Sequence, residues 1–274
     1  MQATTLVVCQ TRQVLLQGEP LPIEGQPTPR FGARVSSRRT GRFGRALDSL
    51  LLRERRETPE LLDAEAMDAE TLKRAYRELQ LLHGWLGNTA AMLRLLRADG
   101  TGKKLKVLDI GCGQGAFLVL IRQRLGHDGI GFDLRSMSVD ASIPIVEGNA
   151  ATDALPRADV AICVVMAHHL EPLELKAMIV NVAQSADRLI LLDLVRHPVP
   201  LALFRVFVSP LLSRINALDG QTSIRRAYTP RELLAIFRDA LQESKRPVEQ
   251  RKHTVAPLWI RQIVDVRWGD RKEQ

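Results

Sequence analysis

Strand-length apolar runs alternate with helix-length amphipathic segments through the middle of this chain. The apolar runs predict β-strands near 105–110, 128–133, 144–147, 159–166 and 188–194. Segments with a helical spacing of apolar residues, at about 115–125 and 171–185, predict helices between some of these strands. Strands that are joined through helices pair in parallel, so the alternation predicts a parallel sheet with helices on both of its faces.

The flanking segments extend this pattern. Apolar residues at helical spacing predict a long amphipathic helix over 68–97, with Asp68 as its N-cap. YTPREL opens a predicted helix at about 229–241, and two extended runs, VEQRKHTV and PLWIRQIVDVRW, could pair as an antiparallel edge. The expected fold class is therefore α/β: a Rossmann-like, doubly wound, mostly parallel sheet of about seven strands with an antiparallel C-terminal edge and an N-terminal helical segment.

The positive charge of the chain is concentrated in one segment. Residues 30–56 contain nine arginines and two carboxylates, so they hold seven of the eight net positive charges. We expect residues 1–57, which lack clear periodicity, to be a basic, disordered extension. Glu19 and Glu24 argue against an organelle transit peptide there. Because the body at 58–274 is nearly neutral, it is not expected to bind nucleic acid.

Composition argues against a membrane-spanning or disulfide-stapled protein. The apolar segment 200–212 is too short to span a membrane and contains Arg205 and Pro210. The three cysteines are odd in number and have no zinc-like spacing, so we expect neither a disulfide framework nor a metal site. A reducing, cytoplasmic setting suits such a chain.

Three glycines follow the first predicted strand in VLDIGCGQGAFL, residues 107–118. Gly111, Gly113 and Gly115 come where this strand ends and a helix begins, the place where open parallel sheets bind ligands. The spacing is GxGxG, whereas a dinucleotide fingerprint is GxGxxG. Asp109 lies two residues before the first glycine, where a carboxylate would repel a pyrophosphate but attract a ligand that carries an ammonium and a sulfonium.

A second carboxylate and an amide follow the next two strands. Asp133 ends the second predicted strand, twenty residues after Gly113, where it can accept hydrogen bonds from both ribose hydroxyls of an adenosine. Asn149 and Ala150, in EGNA after the third strand, could meet the adenine edge and leave room for its ring. These positions indicate a nucleoside cofactor, and Asp109 argues against a dinucleotide.

With these motifs the chain resembles the class I S-adenosylmethionine-dependent methyltransferases over about residues 68–268. The matching pieces are VLDIGCGQGAF, GFDL, EGNA and DVAICVVMAHHLEP. The resemblance implies S-adenosylmethionine as the cofactor, bound by Asp109, Gly111, Cys112, Gly113, Gly115, Asp133, Leu134, Asn149, Ala150, Val165 and Met166. Two departures are visible: Asn149 replaces the more usual aspartate, and the ten residues 134–143 leave room for a short second helix or none.

Two histidines follow the fourth strand at the expected mouth of the site. Methyl transfer from a sulfonium is an in-line displacement, so the enzyme mainly aligns nucleophile and methyl, and an oxygen nucleophile also has to lose a proton. His169 matches the histidine of related loops, and we expect it to act either as the general base or through a hydrogen bond that orients the loop. His168 is the second candidate base.

The region after the fifth strand is expected to form the acceptor pocket. Residues 197–228 look like the lid insertion that this family commonly places there, with an apolar helix that could receive a lipophilic substrate or lie against a membrane surface. Arg225, Arg226 and Tyr228 are the candidate substrate contacts. Arginine pairs of this kind also commonly stay solvated or bridge a loop to the body.

The predicted function is methyl transfer to a small molecule, as O-methylation of a phenolic or polyketide-like metabolite. Three alternatives stay open: an RNA methyltransferase that grips RNA with the arginine-rich extension, an NAD-binding dehydrogenase, and a cofactor-binding protein without catalysis. The nearly neutral body counts against the first. No NPPY-like segment follows the fourth strand, which disfavours methylation of amino groups in DNA or glutamine side chains.

Overall fold

A seven-stranded sheet forms the centre of the structure. The computed structural model describes residues 52, 54–56, 58–63, 69–98, 102–135, 140 and 142–269. Within them the strands are β1 Lys106–Ile110, β2 Asp128–Asp133, β3 Ile145–Glu147, β4 Ala158–Val164, β5 Ala186–Asp193, β6 Val248–Val255 and β7 Gln262–Trp268. Their order is β3-β2-β1-β4-β5-β7-β6, with β1 to β5 parallel and β7 antiparallel to both of its neighbours.

Helices cover both faces of this sheet. The α-helices of the described residues are α1 Ala69–Trp85, α2 Asn88–Arg97, α3 Ala116–Leu125, α4 Pro172–Ser185, α5 Pro198–Leu203, α6 Arg214–Arg226 and α7 Pro230–Ser244. Alternate side chains of β1 serve the two faces: Val107 packs with α2 and α3, whereas Leu108 and Ile110 pack with α4 and α7. None of these helices is long and apolar enough to cross a membrane.

The expected fold class is confirmed. The five predicted parallel strands are present within two residues of their expected bounds. β6 and β7 form the antiparallel C-terminal edge, although β7 begins at Gln262, five residues after the start of the predicted run PLWIRQIVDVRW. Parallel strands are buried on both faces, so near-continuous apolar runs mark them clearly in a sequence. Between β2 and β3, the residues that the structure describes form no helix, in keeping with the short connection at 134–143.

The helix that the sequence predicts over 68–97 is divided into α1 and α2. Gly87 lies between them with a φ angle of 72°, a left-handed conformation that ends helices and that glycine adopts without strain. Its amide donates to the Gly84 carbonyl at 3.0 Å, which closes the last turn of α1. Asp68, predicted as the N-cap, lies outside the described residues.

The insertion after β5 is built from several short pieces instead of one apolar helix. α5 is followed by a π-helical turn, Phe204–Val208, and a 3₁₀ turn, Ser209–Leu211, before α6 begins. The buried Asp219 on α6 accepts hydrogen bonds from the amides of Leu61 and Leu62 at 2.7 and 2.9 Å. This carboxylate therefore fastens the segment before α1 onto the insertion.

Part of the N-terminal segment packs on the same insertion. Leu52 is 5% exposed and packs with Leu201, Phe204 and Ile224. Leu52 precedes residue 57, where the basic extension is predicted to end, so part of that predicted extension packs on the insertion. Residues 1–51, most of that predicted extension, lie outside the described residues.

Candidate active site

The glycine-rich loop lies at the carboxyl edge of the sheet, between β1 and α3. Gly111, Gly113 and Gly115 have φ angles of 71°, 54° and 74°, which glycine adopts without a steric penalty. The Gly113 amide donates to Asp133 Oδ2 at 2.8 Å, so the end of β2 holds the loop directly. A Cβ on Gly113 would meet no heavy atom within 4 Å, so the loop borders open space at this position.

Two of these glycines offer a matched pair of substitutions. A Cβ on Gly111 would lie 2.3 Å from Met166 Cγ, whereas one on Gly113 would lie in open space. Both alanine variants carry a left-handed backbone penalty of about 1–2 kcal/mol. Only Gly111→Ala must also displace Met166, which adds roughly 1–3 kcal/mol. We expect urea denaturation to show the larger loss of unfolding free energy for Gly111→Ala; equal losses would contradict the close packing of Met166 on the loop.

Asp109 lies in β1, two residues ahead of the loop. It is 3% exposed, and burial, with a smaller contribution from the Asp133 carboxylate, raises the pKa of Asp109 to about 8. No positively charged side chain among the described residues offsets this rise. A cationic group of a ligand placed beside Asp109 would therefore favour its ionised form.

Cys112 fills space on the sheet side of the loop. Its Sγ would lie 2.5 Å from a Cβ on Gly131, so the thiol packs directly on the backbone of β2. Burial, followed by the charges of Asp109 and Asp133, raises the pKa of this thiol to about 12. Cys112 is therefore a neutral packing group in this loop.

The remaining predicted cofactor contacts surround the loop. Leu134 is 66% exposed directly after β2, and Ala150 packs against the core after β3. Asn149 Oδ1 accepts a hydrogen bond from the amide two residues further on, at 2.9 Å. Val165, directly after β4, has a φ angle of 51°, a strained value for a β-branched residue. This conformation turns the chain into the 3₁₀ turn Ala167–His169.

Four titratable side chains meet at that turn. His168 is 1% exposed; its Nδ1 lies 2.8 Å from Asp193 Oδ1 at the end of β5, and its Nε2 lies 3.4 Å from Glu60 Oε1. His169 Nε2 lies 3.8 Å from the same glutamate oxygen. Ser223 Oγ donates to this oxygen at 2.6 Å. We call Glu60, His168, His169 and Asp193 the histidine cluster.

The charges within the histidine cluster support one another. Burial by itself would lower the pKa of His168, but the Asp193 and Glu60 carboxylates outweigh burial and raise this pKa to about 10. Burial opposes ionisation of Glu60, yet His168, His169 and Ser223 hold its pKa below the usual value. The raised pKa favours the protonated form of His168 between the two carboxylates, and a side chain that already holds its proton serves to position the turn.

Arg55 clamps the loop that carries both histidines. Its Nη2 donates to the carbonyls of His168 and Leu170, both at 2.9 Å, and its Nη1 pairs with the Glu171 carboxylate at 2.9 Å. The guanidinium also lies 4.7 Å from the centre of the Tyr228 ring. One side chain from the N-terminal segment therefore fixes three successive parts of this loop.

The three predicted substrate contacts have different partners. Arg226 is buried and its Nη2 donates to the His169 carbonyl at 3.0 Å. Tyr228 is buried and its hydroxyl donates to the Leu170 carbonyl at 2.6 Å. Arg225 is half-buried, and its Nη1 donates to a carbonyl one turn back in α6. Arg226 and Tyr228 thus brace the histidine loop, and contact of any of the three with substrate stays a prediction.

Part of this chain matches a known protein family. Residues 67–193 match the family model described as a methyltransferase domain, a range that contains the glycine-rich loop, Asp133 and both histidines. Residues 67–193 are therefore similar to a methyltransferase domain. S-adenosylmethionine is the cofactor of such a domain, and the residues present fit it: a buried carboxyl without a cationic partner at Asp109, and open space beside Gly113.

Proteins that are similar to this chain carry the names of different methyltransferases. Indolepyruvate C-methyltransferase of Streptomyces griseus is 30% identical over 109 residues, 34% of this chain and 32% of that protein. The match thus spans about a third of the curated relative. Among solved structures, the plantazolicin methyltransferase BpumL in complex with a pentazolic analog and S-adenosylhomocysteine has a TM-score of 0.56 at 12% identity, over 74% of this chain and 92% of that one. It shows the shared fold.

A second solved structure is the magnesium protoporphyrin IX methyltransferase of Synechocystis with bound S-adenosylmethionine. It is 20% identical, covers 76% of this chain and 88% of its own, and has a TM-score of 0.46.

Sequence reasoning missed two members of the site. Glu60 lies in TPELLD, where a single carboxylate before apolar residues carries no chemical signal. Arg55 is one of the nine arginines of the basic segment, and a run of charge is ordinarily solvated. Their partners at 168–171 are far away along the chain, so only folding reveals them.

Proposed function

We propose that this protein transfers the methyl group of S-adenosylmethionine to an oxygen of a small molecule. The observation that carries the proposal is the contact between the two halves of the site. Gly111 packs directly against Met166, and the Met166 carbonyl accepts the amide of His169 at 2.9 Å within the same turn. A methyl donor in the glycine-rich loop and an acceptor beside His169 would therefore be neighbours.

Each part of the cofactor has a matching group. The Asp109 carboxylate would balance the ammonium of the methionine end, beside Gly111, Cys112 and Gly113. Asp133 accepts one backbone amide at each oxygen and keeps further lone pairs for the ribose hydroxyls. Asn149 already uses its oxygen for a backbone amide, so its nitrogen is the group that would donate to an adenine ring nitrogen. The exposed Leu134 would cover the adenine face.

Cofactor affinity is expected to depend on pH through Asp109. Its carboxylate form pairs with the ammonium, but a pKa of about 8 leaves the free carboxyl mostly protonated below that pH. Binding at lower pH has to remove this proton, so we expect affinity to fall from pH 8 to pH 6, by up to about tenfold per unit. Calorimetry in two buffers of different ionisation enthalpy would detect the released proton. Asp109→Asn should bind more weakly and without this slope; a flat wild-type profile would contradict the assigned pairing.

Methyl transfer depends mainly on the alignment of the acceptor oxygen with the methyl group of the cofactor. The acceptor oxygen attacks the methyl carbon while the carbon–sulfur bond breaks, and S-adenosylhomocysteine leaves with the electron pair. The acceptor hydroxyl must also lose its proton. The His169 side chain is 31% exposed and lies on the turn beside the glycine-rich loop, where it assists the loss of this proton. His168, the other histidine of the cluster, holds the turn in place, so the geometry is preorganised.

The insertion at 197–228 supports a lipophilic acceptor of the phenolic or polyketide-like kind. Val206, Phe207 and Leu211 are between 64% and 69% exposed on it. Arg225 flanks this region. Burial lowers the pKa of Arg225, and the charges of Arg205 and Arg56 lower it further. An apolar surface beside a group of cations suits an apolar molecule that carries an acidic hydroxyl.

Methylation at carbon is a second candidate, favoured by the match to indolepyruvate C-methyltransferase. An enolate carbon would need the same alignment and the same loss of a proton, taken from carbon in place of oxygen. The two outcomes differ in the product, because nuclear magnetic resonance distinguishes a methyl on oxygen from a methyl on carbon.

Calorimetry followed by a transfer assay tests the proposed function. We expect S-adenosylmethionine and S-adenosylhomocysteine to bind and NAD not to bind. Incubation with the labelled methyl donor should then transfer label to phenolic or polyketide-like acceptors. Binding of NAD alone would overturn the cofactor assignment. Label in RNA, or cofactor binding without transfer to any acceptor, would overturn the small-molecule reaction.

A further inference from the structure

The histidine cluster contains a ligand set for a metal ion. Glu60, His168 and His169 each offer one ligand atom, and these three atoms lie within 4.8 Å of one another. We propose that these side chains bind one divalent transition-metal ion at the acceptor side of the methyltransferase site. Binding of the ion stands by itself, whereas its role in catalysis rests on the proposed function.

The spacing of the ligand atoms suits such an ion. Glu60 Oε1 lies 3.4 Å from His168 Nε2 and 3.8 Å from His169 Nε2. A point equidistant from three atoms at such separations lies about 2.1–2.4 Å from each, close to zinc–nitrogen and zinc–oxygen bonds of about 2.0–2.2 Å. Small side-chain adjustments would complete the coordination without a change of backbone.

Neighbouring groups already orient two of the ligands. Asp193 Oδ1, at 2.8 Å from His168 Nδ1, takes the hydrogen bond of that nitrogen, and Nε2 is directed at Glu60. The ion would replace the proton that Nε2 holds in the ion-free cluster, so binding would release that proton. A carboxylate behind a ligating histidine is common around protein-bound metals because it fixes the ring and its tautomer. Ser223 Oγ donates to Glu60 Oε1 at 2.6 Å and holds the carboxylate in place.

The charge of the cluster suits a dication. Glu60 and Asp193 are 8% and 2% exposed, so two carboxylates lie buried on either side of His168. Once the ion has replaced the Nε2 proton of His168, one divalent cation balances both carboxylates. In addition, Asp193 Oδ2 is buried without a hydrogen-bond partner among the described residues, so the polar groups of the cluster are not yet satisfied.

The donor atoms indicate the kind of ion. Two imidazoles with one carboxylate suit zinc or iron(II), whereas magnesium and calcium prefer oxygen ligands alone. Three protein ligands leave a coordination position for water or an acceptor oxygen. The sequence prediction of no metal site rested on cysteine spacing, which does not bear on ligands that come from histidines and a distant glutamate.

Given the proposed function, the open position would face the acceptor. A hydroxyl that coordinates there becomes more acidic and passes its proton to water. The oxygen lone pair then forms the bond to the methyl carbon as the carbon–sulfur bond breaks, and sulfur keeps that electron pair. Atoms and charges balance without an oxidant or reductant. In the loaded protein His169 assists proton loss as a ligand of the ion.

Titration of the full-length, chelator-treated protein tests the site. Co²⁺ binding is followed by visible absorption and Zn²⁺ binding by calorimetry. We expect one ion per chain, and an affinity at least about tenfold weaker in Glu60→Gln and in His169→Ala. The matched control is His253→Ala, which removes an imidazole from the edge strand β6 and should leave ion affinity unchanged.

Two results would overturn the site: no one-to-one binding, or unchanged affinity in both cluster variants. An equal loss in His253→Ala would also count against it, because the effect would then be unspecific. Circular dichroism and thermal unfolding accompany each titration. If Glu60→Gln does not fold, the ion affinity of His169→Ala tests the site. The His169 side chain is partly exposed, so its removal is expected to leave the fold intact.

The same samples separate the ion from the proposed function. One-to-one binding without methyl transfer supports the site and contradicts the function. Methyl transfer at an equal rate by protein that binds no ion supports the function and contradicts the site.

Discussion

Replacing Asp133 by alanine is expected to weaken the binding of S-adenosylmethionine by at least about 100-fold. Its carboxylate would accept two ribose hydroxyls, and hydrogen bonds to a charged group contribute about 1.5–3 kcal/mol each. The side chain also accepts the Gly113 amide at 2.8 Å, so its loss loosens the loop that receives the methionine end. Calorimetry of the purified variant measures both the affinity and the enthalpy that these contacts supply.

Asp128→Ala is the matched control for this variant. Asp128 opens the same strand and its exposed carboxylate pairs with Lys104, at the opposite end of β2 from the cofactor site. We expect the control to bind S-adenosylmethionine with an affinity within about twofold of the wild type. Asp128 lies at the far end of β2, and its exposed ion pair contributes little to the stability of the protein. Wild-type affinity in Asp133→Ala would remove the ribose contact and, with it, the main reason for placing adenosine at this edge.

Replacing His169 by alanine is expected to lower the turnover number by about 100-fold or more. Removal of a positioned group that assists proton transfer commonly costs 10²–10⁴ in rate. Cofactor affinity should stay within about threefold, or roughly 0.7 kcal/mol, because the contact of Gly111 with Met166 involves no atom of the His169 ring. Single-turnover rates at saturating cofactor, beside calorimetry, measure the two quantities separately.

The pattern of losses decides what His169 does. A lower turnover with unchanged cofactor affinity assigns its ring to the reaction, since a merely structural loss would reduce both together. His253→Ala, on the edge strand β6, is again the control and should keep the wild-type rate. An unchanged turnover number in His169→Ala would contradict the proposal that this histidine takes part in the reaction.

The positions of the proposed cofactor residues in the fold could be predicted because their signals are local. Asp109, the three glycines and Asp133 all lie at the ends of strands β1 and β2, which pair directly in the sheet. The carboxyl ends of parallel neighbours meet at one edge, so the strand order alone brings these residues together. The break between α1 and α2 at Gly87 is not predictable from local signals. A glycine inside a helical pattern gives no indication of whether its backbone will be helical or left-handed.

The proposed acceptor half depends on contacts between segments far apart in the chain. Arg55 reaches Glu171 and the carbonyls around it across more than a hundred residues, and Glu60 reaches the histidines over a similar distance. Arg226 and Tyr228 looked like substrate contacts because they are polar residues near the expected pocket. In the fold their polar groups donate to the carbonyls of the histidine loop.

The sequence by itself determined the α/β class, the strand positions and the place of the glycine-rich loop, because periodicity and glycine spacing act within a few residues. The tertiary structure decided that Arg55 and Glu60 contact the histidine turn and that His168 lies between Asp193 and Glu60. The physical reason is that burial of polar groups has to be satisfied by whichever partners packing brings near. Which partners those are follows from the whole fold, and no stretch of sequence contains them.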